Sequence, residues 1–114
     1  MMTEDEIIKF ALSFEGACIR YPYGNNPLVL STADAHEFCD VYEGSEPIHL
    51  VMKCDPEEAI RLRNEYPQSV LPGYRCNKRH WNSVYIDGKI PDDEIKQMIK
   101  NAFILMSKYR RNKK

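Results

Sequence analysis

A chain of 114 residues, 43% hydrophobic and 29% charged, makes one domain that buries about two-thirds of its unfolded surface. That balance excludes a disordered or membrane chain, and no apolar run approaches the ~20 residues of a membrane span. The acidic start MMTEDEII lacks the basic-then-apolar character of an export signal, so a single cytosolic domain over residues 1–114, monomeric and without a membrane partner, is expected.

Thr3 and Glu6 have the spacing of a capping box, and Ile7, Ile8, Ala11 and Leu12 follow at helical period up to Phe14, with Gly16 as the stop. Three short runs rich in β-formers come next: Leu28-Val29-Leu30, Glu37 to Tyr42 and Ile48 to Lys53. In the last, Ile48, Leu50 and Met52 alternate with His49, Val51 and Lys53, the pattern of a sheet with one buried face. Asp55-Pro56-Glu57-Glu58 is a second helix start, carrying Ala59, Ile60 and Leu62 and ending near Tyr66 because Pro67 follows. A fourth strand covers Trp81 to Ile86. A third helix opens at Pro91, with Asp92, Asp93 and Glu94 in its first turn, and carries Ile95, Met98, Ile99, Ala102, Phe103 and Met106 on one apolar face. The order α-β-β-β-α-β-α, with hairpin-sized connections, predicts an α+β fold: an antiparallel sheet with the helices packed on one face.

The net charge of −1 hides a split: residues 1–74 carry −8 and residues 75–114 carry +7. Such asymmetry points to an anionic partner. Cys18, Cys39, Cys54 and Cys76 include no C-x-x-C pair, so neither a zinc site nor a disulfide framework is expected. His80 stands four residues after Cys76, but no motif supplies the third group that a Cys–His catalyst needs to orient the imidazole. His36 and His49 make no metal-ligand spacing and read as exposed strand or turn residues. Phosphate-cradling glycine motifs are absent. No catalytic residue, cofactor or metal ligand is therefore assigned. Glu4, Asp5 and Glu6 read first as charges complementing a helix dipole.

The remaining signal lies in residues 72–88, PGYRCNKRHWNSVYIDG, where Arg75, Lys78, Arg79 and His80 run into the only tryptophan. With the C-terminal Arg110 and Arg111 they form a cationic set able to neutralise phosphates and release counterions, giving affinity without sequence choice. Trp81 reads first as a core residue anchoring its strand, with Tyr85 on the same face; the alternative is that Trp81 or Tyr85 stacks on an exposed base.

This stretch resembles the signature of the MmcQ/YjbR-like family of small bacterial proteins. The resemblance rests on Pro72-Gly73-Tyr74, Asn77-Lys78-Arg79-His80-Trp81, Val84-Tyr85-Ile86-Asp87-Gly88 and the helix from Pro91. Leu50-Val51-Met52-Lys53-Cys54-Asp55-Pro56, Phe14-Glu15-Gly16 and Pro22-Tyr23-Gly24 extend it over nearly the whole chain. Glu15 stands where the family usually has proline, and Phe103 where it often has a Ser-Tyr pair. The resemblance implies a CyaY-like α+β fold, a double-wing arrangement of hairpins with a DNA-binding role, and no catalytic set. The expectation is a non-enzymatic domain that binds DNA or other nucleic acid. The alternatives are an adaptor whose basic face meets an acidic protein, or weak frataxin-like metal binding through Glu4, Asp5 and Glu6.

Overall fold

The computed structural model describes residues 1–108. Three helices, α1 (Glu4–Leu12), α2 (Pro56–Glu65) and α3 (Asp92–Ser107), accompany six strands: β1 (Cys18–Arg20), β2 (Leu28–Ser31), β3 (Glu37–Tyr42), β4 (Ile48–Lys53), β5 (Val70–Pro72) and β6 (Trp81–Ile86). The strands form one antiparallel sheet in the order β1-β2-β3-β4-β6-β5. The α+β class and every predicted helix and strand are present. Two further strands, β1 and β5, form the sheet edges.

The start signals work as their chemistry requires. Thr3 Oγ1 accepts from Glu6 N and Glu6 Oε1 accepts from Thr3 N, closing the capping box of α1. Asp55 caps α2 by accepting from Glu57 N. The register then sorts side chains by face. Leu28, Val41, Leu50 and Val84 stand side by side across four strands. They pack against Ile7 and Ala11 of α1, Leu62 of α2, and Ile95, Met98, Ile99 and Ala102 of α3. Complete burial of each large aliphatic side chain contributes about 1.5–3 kcal/mol. Phe103 joins its edge, stacked on Phe14 at 4.9 Å and edge-on to Phe38 at 5.3 Å.

The second face of the sheet departs from the one-sided pattern. Val29, Asp40, Val51 and Ser83 form the neighbouring row on that face, and all four are buried. His49, expected to be exposed, is buried too. It is stacked between Tyr42 at 4.9 Å and Tyr85 at 4.5 Å, with its Nε2 3.0 Å from Ser83 Oγ. Sequence alternation cannot register this burial, because the loop residues over that face come from distant parts of the chain.

Candidate nucleic-acid interface

The loop of residues 73–80 starts where β5 passes β6. Gly73 N donates to Trp81 O at 2.9 Å, and Tyr74 N donates to Ser83 Oγ at 3.0 Å, so the loop is fixed onto the second face as it begins. Cys54 N donates to His80 O at 2.7 Å where it ends. Arg63 of α2 clamps it from beneath: its guanidinium donates to Asn82 Oδ1, Trp81 O and Lys78 O. A loop so held presents its side chains at little further entropic cost on binding.

The predicted basic residues divide within this frame. Lys78 Nζ donates to Gly73 O at 2.7 Å and ties the loop to itself. His80 is half-buried and acts through its backbone. Arg75 and Arg79 are exposed, and neither makes an ion pair among the described residues. Arg75 sits at φ 60° with its Cζ 5.1 Å from the centre of the Tyr74 ring. That left-handed backbone is costly for a residue with a β-carbon. Arg110 and Arg111 lie outside the described residues.

Trp81 is a correction. Its strand position faces away from the helices, beside Lys53, Ser83 and Tyr85, and it is half-buried with Lys53 Nζ 5.3 Å over its ring. Tyr85 does share its face, as expected, but that face is not the main core.

An acidic cluster missed in the sequence lies under the same loop. Burial, reinforced by Glu37 beside it, pushes the Asp40 carboxyl up to about 9. Tyr23 Oη donates to Glu37 Oε1 at 2.7 Å. Burial first, then the neighbouring Asp40 and Glu37, push the Cys76 thiol upward, the reverse of what a nucleophile needs. Cys54 is likewise pushed up, to about 11, chiefly by burial. All four cysteines are free thiols. At the N-terminus, Glu6 serves the capping box and Glu4 Oε2 accepts from Gly44 N at 3.0 Å. Among the described residues no three His, Cys, Asp or Glu side chains are grouped to hold a metal ion. No helix among them is long and apolar enough to cross a membrane.

The YjbR family model matches residues 12–105, which include the whole sheet and nearly all of α3. The chain belongs to the YjbR family. Among curated relatives, this YjbR chain is 41% identical over 56 residues to the uncharacterized protein YyaQ of Bacillus subtilis, covering 49% of the chain and 46% of the relative. It is 36% identical over 52 residues to the uncharacterized protein YjbR of Escherichia coli K12, covering 46% and 43%. The matched stretch thus spans less than half the length of these relatives. The crystal structure of the Deinococcus radiodurans protein DR2400, a domain of the DUF419 family model, superposes with a TM-score of 0.91 at 27% identity, covering 99% of this chain and 84% of that one. A Pseudomonas syringae protein shares the fold, with a TM-score of 0.74 at 22% identity over 92% of this chain and 99% of that one.

Proposed function

We propose that this YjbR domain binds nucleic acid through the loop of residues 73–80, acting in the cytoplasm as a binding module rather than as an enzyme. One observation carries the reading: Arg75 and Arg79 are exposed and without an acidic partner among the described residues, on a loop clamped from below. The planar fork of an unneutralised guanidinium reaches two oxygens of a phosphate, which it favours over a single neutral acceptor. Arg75, held at φ 60° although it is not glycine, fits a position where backbone strain serves contact. The DNA-binding, double-wing role implied by the resemblance enters here as part of the same proposal. The Cys76 thiol, pushed upward by burial and by the carboxyl groups of Asp40 and Glu37, is not set up as a nucleophile, which supports the non-enzymatic side of it.

The test is a salt titration on generic DNA. A non-specific Kd of about 10⁻⁴–10⁻⁶ M is expected near physiological salt, with its logarithm linear in log salt. Arg75→Gly and Arg79→Ala should each flatten the slope by about one unit per lost phosphate contact. Absence of binding at low salt would retire nucleic acid and leave an acidic protein as the partner of the same cations.

A further inference from the structure

Two tyrosines stand out on the side of the sheet away from the helices: Tyr23 is 63% exposed and Tyr74 46%. Tyr23 is held by its hydroxyl, which donates to Glu37 Oε1 at 2.7 Å. Anchored at the tip, such a ring keeps its face open and loses little freedom when something stacks on it. Tyr74 is fixed through its own backbone N–H to Ser83 and meets Tyr42 edge-on at 6.0 Å.

The two segments that carry these rings adjoin. Tyr23 reaches Glu37, while Tyr74 of the second loop is bonded to Ser83, in the same buried row as Asp40 and Val51. Arginine accompanies the tyrosines on both sides. Arg20 pairs across the sheet with Val29, which puts it on the second face, and Arg75 lies over Tyr74. The side chain of Arg20 is exposed and makes no ion pair among the described residues. Of the carboxyl groups nearby, Asp40 is buried with its pKa raised, and Glu37 accepts from Tyr23 Oη.

We propose that this face takes single-stranded nucleic acid, with unpaired bases stacked on Tyr23 and Tyr74 and the phosphates held by Arg20 and Arg75. The inference rests on the nucleic-acid reading above and narrows it. Bases in a duplex already stack on each other and offer only their edges, whereas an unpaired base has a free π-face for a tyrosine.

The experiment measures binding of oligothymidylate of roughly ten nucleotides, a usual footprint for a small single-strand binder, and of a duplex of equal length. Wild type should prefer the single strand. Tyr23→Ala should weaken single-strand binding about 5- to 100-fold, leaving duplex binding and the salt slope nearly unchanged. Tyr23→Phe keeps the ring and should keep the affinity. Tyr23→Trp should bind as wild type and show emission quenched by the bound bases, a readout independent of affinity. Equal affinity for both forms, with Tyr23→Ala harmless, overturns the stacking inference while the loop cations stand. A loss in Tyr23→Phe as large as in Tyr23→Ala also overturns it, because the hydroxyl and not the ring would then be responsible. Failure to bind either probe at low salt overturns this inference and the nucleic-acid reading together.

Discussion

A β-carbon added to Gly73 would lie 2.7 Å from Trp81 Cβ and 2.9 Å from Trp81 O, so the two backbones can approach this closely only because residue 73 is glycine. The contact joins the end of β5 to the start of β6 and sets the angle at which the basic loop leaves the sheet. Gly73→Ala must push these backbones apart, and overpacking of this kind costs about 1–3 kcal/mol. Urea denaturation should show that loss, and the weaker Gly73 N to Trp81 O bond should speed amide exchange at residue 73. An unchanged midpoint would mean that the loop can shift without cost.

Arg75 presents the opposite case. Its φ of 60° costs a residue with a β-carbon about 1–2 kcal/mol, and glycine would relieve that while adding about 0.5–1 kcal/mol of unfolded-state freedom. Arg75→Gly should therefore change stability by no more than about 1 kcal/mol while removing a phosphate contact. A loss above about 2 kcal/mol in denaturation would instead make the stacking of Arg75 on Tyr74 a structural support.

Phe103 closes the aromatic cluster between α3, the end of α1 and β3, through Phe14 and Phe38. Phe103→Ala should cost about 3 kcal/mol, the lower end of the range for a core phenylalanine because the ring is only partly buried. Chemical denaturation measures it, and a loss below 1 kcal/mol would place the ring outside the core.

The elements legible in the sequence were those whose signals are local. Thr3 with Glu6, Asp55 with Pro56 and the apolar period of α3 each act within a turn or two of chain, and each lies where its chemistry places it. The edge strands were not legible, because Cys18–Arg20 and Val70–Pro72 are three residues each and become strands only by pairing with β2 and β6. Of the site, the basic block was visible, but not its division into a tethered Lys78 and the exposed Arg75 and Arg79. The tyrosines of Tyr21-Pro22-Tyr23 gave a signal that could have been used, two aromatics flanking a proline in a turn. The place of Tyr23 beside the second loop depends on the sheet order alone.

The second face also makes stability depend on pH in two opposed ways. Burial lowers the His49 pKa below 6.5, so the folded state holds the ring neutral. Above pH 6.5 both states are neutral and nothing is lost. As pH falls through 6.5 the unfolded chain takes the proton first, and stability drops until the folded pKa is passed. Asp40 runs the other way. Its pKa rises from 3.8 unfolded to about 9 folded, so below pH 4 both states are protonated and the fold is not penalised. As pH rises from about 4 to 9 only the unfolded chain ionises, and stability is progressively lost. Asp40→Asn retains the shape without the ionisable group. It should be more stable than wild type at pH 7 by at least about 1 kcal/mol, with the gain shrinking toward pH 4. His49→Phe preserves a flat ring between Tyr42 and Tyr85 and should remove the loss seen between pH 6.5 and 5, whatever its absolute stability. Urea midpoints of the three proteins at pH 4, 5, 7 and 8.5 decide both points. Profiles that run parallel to wild type would show that neither buried group governs the response of the fold to acid.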